Sequence, residues 1–198
     1  LRVRWLSTAD PQSATGRVVA TRQTLLAEFT QGLELPGLPD PLLRLPELLN
    51  ETVSGTQSTI HGDLNLENIL TGPGGFVWLI DFAETRDGHT LFDFAHLEAE
   101  IIAHVIAAQN LTPAGHLSAL RTILHTADGA PTESVPPVYA LLSRLHTIAG
   151  RCLFNPSQPR EYHLALALSC MGALKFANLQ PNQKQLLYVT AAALAHSL

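Results

Sequence analysis

Lysine is nearly missing from this chain of 198 residues: of twelve basic residues only Lys175 and Lys184 are lysines, and both lie near the C-terminal end. Charge of either sign is scarce. Charged residues make up 15% and the net charge is −5, where an ordinary globular domain carries about a quarter charged residues. So few cations do not suit a general binder of nucleic acid or of an anionic membrane. Cysteine is scarce too. Cys152 and Cys170 cannot build a disulfide framework, and they read as buried thiols in a reduced, cytoplasmic compartment. Long apolar runs are absent. A stretch such as Leu164–Leu174 falls well short of the roughly 18 residues that span a bilayer. No basic start followed by a small-residue cleavage site marks a signal peptide. The chain opens on Leu, as an excised domain would.

What is present is a globular composition. Apolar residues are 46% of the chain. The length fits one domain, or one and a half, and is enough to bury a good core. The acids are unevenly placed. Residues 61–98 hold seven of them against a single base, Arg86. Such a cluster is either a solvated face or a site for a cation.

The order of elements points to an α+β fold that is mainly α. Leu1–Leu6 reads as a strand or a chain edge, and Val18–Phe29 has the spacing of a short helix. Pro36–Pro46 carries four prolines in eleven positions, which predicts a loop or linker, with a short helix over Leu42–Leu49. Residues 1–57 thus form a partial or linker region. Ser58–Ile60 and Asn68–Leu70 read as extended. Gly72-Pro73-Gly74-Gly75 is a turn, and Phe76–Ile80 is a strand rich in aromatic and β-branched residues. The last two strands make a hairpin with Asp81 at its exit. Helical spacing then dominates: Phe92–Ala107, a helix begun by Pro113, then Val138–Leu153, Pro159–Ala177 and Pro181–His196. Residues 58–90 are a loop and hairpin; residues 91–198 are a helical subdomain.

The informative stretch is His61-Gly-Asp63-Leu-Asn65-Leu-Glu-Asn68, followed by Val77-Trp-Leu-Ile-Asp81-Phe. The hairpin folds the chain back, so Asp81 returns beside Asn68. Two oxygens from Asn68 and Asp81 suit a hard cation such as Mg²⁺, which takes few ligands from protein. Asp63 is left to orient a hydroxyl and accept its proton. Phosphoryl transfer needs that division of labour. A turn cluster of Asp and Asn without a metal is the bland alternative; it does not account for the joint spacing. Glu67 and Glu84 flank the site as solvated charges, although Glu84 could meet a cationic substrate. The nine histidines show no ligand spacing and read as surface or satisfied core residues.

His61-x-Asp63-Leu-x-x-x-Asn68 resembles the catalytic loop of the protein-kinase-like superfamily. Gly62, and Asp81-Phe-Ala in place of Asp-Phe-Gly, make it more similar to the aminoglycoside phosphotransferase and choline kinase branch. The run from Trp78 to Glu98 also resembles bacterial phosphotransferase-like domains of multidomain conflict and signalling proteins. The likeness is direct over residues 58–98.

The resemblance implies a C-terminal lobe over residues 58–198. Asp63 would be the catalytic carboxylate, assisted by Asn68. Asn68 and Asp81 would bind Mg²⁺ held by the phosphates of ATP or GTP. Asn65 stands where relatives place a phosphate-contacting residue, here as an uncharged amide. His61 would pack the loop and Asp93 would brace it. The acceptor would be a hydroxyl of a small molecule; that no nucleic acid or membrane is expected as a partner rests on the net charge. An aminoglycoside fits less well, because residues 99–198 offer only Glu100, Asp128, Glu133 and Glu161 as acids. The family's nucleotide lobe carries a strand lysine, and no lysine precedes residue 61. The lobe is therefore expected from a missing N-terminal part or a neighbouring domain, with little activity in these residues alone. The alternative is a pseudokinase-like binding or regulatory module of a multidomain bacterial protein.

Overall fold

The computed structural model describes residues 2–4, 17, 20, 21, 24, 37–109, 112–125 and 137–198. The helix expected over Val18–Phe29 lies largely outside them. Among the described residues helices dominate, beside three small antiparallel two-stranded sheets. Strand β1 (Arg2–Arg4) pairs with β2 (Thr52–Ser54), β3 (Gln57–Ile60) with β6 (Arg86–His89), and β4 (Ile69–Thr71) with β5 (Val77–Leu79). The helices are α1 (Pro41–Asn50), α2 (Phe92–Glu100), α3 (Pro113–His125), α4 (Pro137–Gly150), α5 (Arg160–Ala173) and α6 (Pro181–His196). Beyond Glu100 the α2 axis runs on through a π-helical segment, Ile101–Ile106, and a 3₁₀ turn. Among the described residues no helix is long and apolar enough to cross a membrane.

The proline-rich stretch is a helix from Pro41 onward, not a linker. Pro41 sits in the first turn, where its missing N–H has no partner to lose, and Asp40 caps the end by accepting from Leu42 N at 2.8 Å. Pro46 lies inside the helix and removes one internal hydrogen bond. That costs about 3 kcal/mol. Burial of Leu42, Leu45, Leu48 and Leu49 in the core outweighs it, at about 1.5–3 kcal/mol per side chain. Asp40 also accepts from Tyr188 Oη at 2.5 Å, and the Arg44 guanidinium donates to the Ala195 carbonyl. One helix is thereby tied to the middle and the C-terminal end of α6. The core is continuous from α1 through α2, α4, α5 and α6.

Two histidines packed into this core, His116 and His146, have hydrogen-bonding partners. His116 is buried between Tyr139 Oη and Thr190 Oγ1, each 2.7 Å from a ring nitrogen. Burial lowers its pKa to about 4. The unfolded chain takes this proton near pH 6.5 and the folded chain only near 4. The contribution is therefore complete above pH 6.5 and is lost as pH falls toward 4, up to about 3 kcal/mol. Urea midpoints measured between pH 7 and pH 4 should fall accordingly, and His116→Gln should flatten that fall. At His146 burial pulls the pKa down, but the charge and hydrogen bond of Glu98 outweigh it and raise the pKa overall. Its contribution is present below pH 6.5 and is lost as pH rises through the raised value.

Candidate functional site

The loop after β3 is held from behind by one carboxylate. Asp93, in the first turn of α2, accepts from His61 N at 2.7 Å through Oδ2 and from Gly62 N at 3.0 Å through Oδ1. Asp93 thereby joins the start of α2 to the backbone of His61 and Gly62. His61 is buried, and its Nε2 lies 2.8 Å from the Ile80 carbonyl. A carbonyl only accepts, so Nε2 carries the proton. The imidazole thereby ties the loop to the residue before Asp81. It also packs on Phe82, ring centroids 5.0 Å apart.

Gly62 is required by space and by dihedral angle. Its φ is +88°, and a Cβ there would stand 2.3 Å from the Glu84 carbonyl oxygen and 2.5 Å from Arg86 Nη1. Backbone cannot yield cheaply at such distances. Gly62→Ala should therefore displace the loop from the β6 side. It should cost about 1–3 kcal/mol, read as a lowered denaturant midpoint with altered amide shifts at His61 and Asp63.

Asn65 builds the next turn. Its Oδ1 accepts from Glu67 N and Asn68 N, both at 3.0 Å, and caps the 3₁₀ turn Leu66–Asn68. Its Nδ2 faces Asp63 Oδ2 at 3.3 Å. With the oxygen engaged in the turn, Nδ2 is the group it could offer a phosphate. Asn68 donates through Nδ2 to the Asp63 carbonyl at 2.8 Å and more weakly to Asp63 Oδ2 at 3.5 Å. Two amides therefore point at one oxygen of Asp63 and fix its carboxylate.

The hairpin brings Asp81 back to Asn68. Ile69 pairs with Leu79 in the β4–β5 register, and Ile80 N donates to the Asn68 carbonyl at 3.1 Å. Asp81 follows directly, in left-handed conformation with φ 60° and ψ 65°. A non-glycine residue held there costs about 1–3 kcal/mol, and such strain concentrates at functional sites. Among the described residues neither the Asp81 carboxylate nor Asn68 Oδ1 accepts a hydrogen bond from protein. These are two unengaged hard oxygens on adjoining residues of a paired hairpin. That donor set suits Mg²⁺, which needs only one or two protein oxygens when phosphates supply others. Among the described residues no group of three or more His, Cys, Asp or Glu could hold a metal by itself.

One feature was not anticipated from sequence. The β4–β5 hairpin is bare on both faces: Leu70, Phe76, Val77, Trp78, Leu79, Ile80 and Phe82 are all exposed, Phe76 to 66% and Trp78 to 51%. A two-stranded ribbon is marginal alone, and a contiguous apolar patch of this kind marks a contact surface. The signal was legible. Phe76–Ile80 is apolar at every position, and a strand with one solvent face alternates. Arg86 also emerges as a structural residue. It lies over the Phe92 ring at 5.5 Å and donates to the Glu84 carbonyl at 2.7 Å.

A family model described as ternary complex associated domain 9 matches residues 3–152, a span that includes the loop, the hairpin and Asp93. No curated protein and no solved structure matches the chain.

Proposed function

The chain belongs to the ternary complex associated domain 9 family, and we propose that its His61–Asp93 region is the catalytic half of a kinase-like, Mg²⁺-dependent phosphotransferase. The observation that carries this reading is the joint geometry of three side chains. Asp63 is fixed by Asn65 and Asn68, while Asn68 Oδ1 and the Asp81 carboxylate remain unengaged across the hairpin. Asn68 and Asp81 would hold Mg²⁺, which when bound neutralises nucleotide phosphate charge. Asp63 orients the acceptor hydroxyl and takes its proton as the new O–P bond forms and the nucleoside diphosphate leaves. Asp93 and His61 hold the loop that carries Asp63 in place. The acceptor is a small molecule bearing a hydroxyl.

No lysine precedes residue 61, so the cation for the α- and β-phosphates comes from a companion lobe or chain. The bare hairpin supports this, since an apolar ribbon beside Asp81 is where such a lobe would close. Calorimetric titration with Mg-ATP tests the reading. Weak binding is expected for these residues alone and strong binding with the companion lobe present. No binding in either case overturns the phosphotransferase.

The same hairpin favours a second reading, a pseudokinase-like interaction module, which the words "complex associated" also suit. Phe76→Ser with Trp78→Ser separates surface from core. Stability should stay within about 0.5 kcal/mol, as for other exposed positions, while companion binding is lost. Retained companion binding with nucleotide affinity intact would place the companion elsewhere.

A further inference from the structure

A cavity of about 360 Å³ lies between α1, α2 and α5, apart from the loop and hairpin. Its wall is formed by Leu45, Leu49, Phe92, Met171 and Phe176, and no acidic residue contributes to it. Small-molecule sites have this character: a largely apolar space of about 300–1,000 Å³ with a few polar groups. Two polar groups stand out here. Lys175, one of the chain's two lysines, lines the cavity with its ammonium 5.0 Å from the Phe176 ring centroid. His96 lines it too, its ring edge-on to Phe92 at 6.1 Å. Among the described residues no carboxylate pairs with Lys175. Lys175 is itself exposed, so in a chain of net charge −5 it sets a solvated cation on the open side of an apolar space.

We infer that this cavity binds a small amphiphilic carboxylate, with its acyl chain against Leu45, Leu49 and Met171 and its head on Lys175 and His96. The charge fixes the sign of the head. Lys175 Nζ donates to the carboxylate, and the His96 imidazole can donate a second N–H. The volume is commensurate with the acyl chain. At about 30 Å³ per water-sized group the space holds roughly a dozen such groups, which matches a medium-chain acid. Met171 gives a wall that can adapt to such a chain. The inference stands independently of the phosphotransferase reading.

Gly172 offers a clean test. It lines the cavity from within α5, and a Cβ there meets nothing within 4 Å. Gly172→Leu therefore fills the space from a helical position where leucine is the better helix former. Isothermal titration would use decanoate, decan-1-ol and decyltrimethylammonium, each kept below its micelle concentration. Decanoate should bind at least about tenfold more tightly than decan-1-ol, the order of one charge-assisted hydrogen bond, and the ammonium should not bind. Lys175→Met should erase the difference between acid and alcohol. Gly172→Leu should abolish decanoate binding with melting temperature unchanged or raised. Equal affinity for all three probes, no decanoate binding, or decanoate binding that survives Gly172→Leu would each overturn the inference.

Discussion

Asp63→Asn should lower phosphoryl transfer by about 10²–10⁴-fold, the range for loss of a positioned general base, with Mg-nucleotide affinity unchanged. The expectation follows from how the carboxylate is held. Asn65 Nδ2 and Asn68 Nδ2 both face Asp63 Oδ2, which leaves Oδ1 for the acceptor hydroxyl. An amide keeps the shape and cannot take the proton. Asp81→Ala should differ in kind, because it removes an unengaged oxygen from the pair proposed to hold Mg²⁺. It should abolish transfer and weaken Mg-nucleotide binding together. A steady-state assay with the companion lobe present separates the two through kcat and KM. Full activity in Asp63→Asn would remove the base from the mechanism.

The second large effect lies in the core. Glu98→Ala should destabilise the fold by about 3–5 kcal/mol, the cost of breaking a buried pair by deleting one partner. Glu98 is fully buried. Both its oxygens lie 2.7 Å from His146 Nε2, and Oε2 accepts from Tyr162 Oη at 2.5 Å. Burial, reinforced by Glu98, pushes the Tyr162 pKa well above its usual value, so the phenol stays a donor. Deleting the carboxylate strands a buried phenol and a partly buried imidazole. At about 2–4 °C per kcal/mol for a chain of this size, the melting temperature should drop by about 10 °C. Glu98→Gln keeps an acceptor and should lose less. Adding His146→Leu to Glu98→Ala should recover part of the loss, since the stranded imidazole is then gone. The consequence reaches the site, because Glu98 and Asp93 share α2 and Asp93 holds the loop.

Local chemistry made much of this architecture readable. Prolines at 113, 137 and 181 open helices because a helix start has no use for their missing N–H. Gly72–Gly75 between apolar runs gives the hairpin, and the hairpin alone carries Asp81 to Asn68. Pairings that depend on distant chain segments were not readable. β3 joins β6 across the whole loop and hairpin, and β1 joins β2 across some fifty residues. Neither has a turn signal that announces it. Within the proline-rich stretch the helix over Leu42–Leu49 was legible, but Pro46 is locally unfavourable in it, and only tertiary burial of four leucines shows why it is tolerated. The buried histidines were unreadable for a similar reason. His89 finds Glu161 72 residues away, and His116 finds Thr190 74 away. At the site the residue types and spacing pointed to Asp63, Asn68 and Asp81, and Asp93 came only from the resemblance to kinase-like catalytic loops. The turn-building role of Asn65 was not legible, because it depends on how the loop closes on itself.

Mn²⁺ relaxation in the presence of ATP tests the central claim most directly, with Mn²⁺ as a paramagnetic stand-in for Mg²⁺ at an oxygen site. The expected result is selective broadening of the amide resonances of Asn68, Asp81 and Phe82, lost in Asp81→Ala and kept in Asp63→Asn. Broadening centred elsewhere, or unchanged in Asp81→Ala, would contradict the assignment of Asn68 and Asp81 as the Mg²⁺-nucleotide pair.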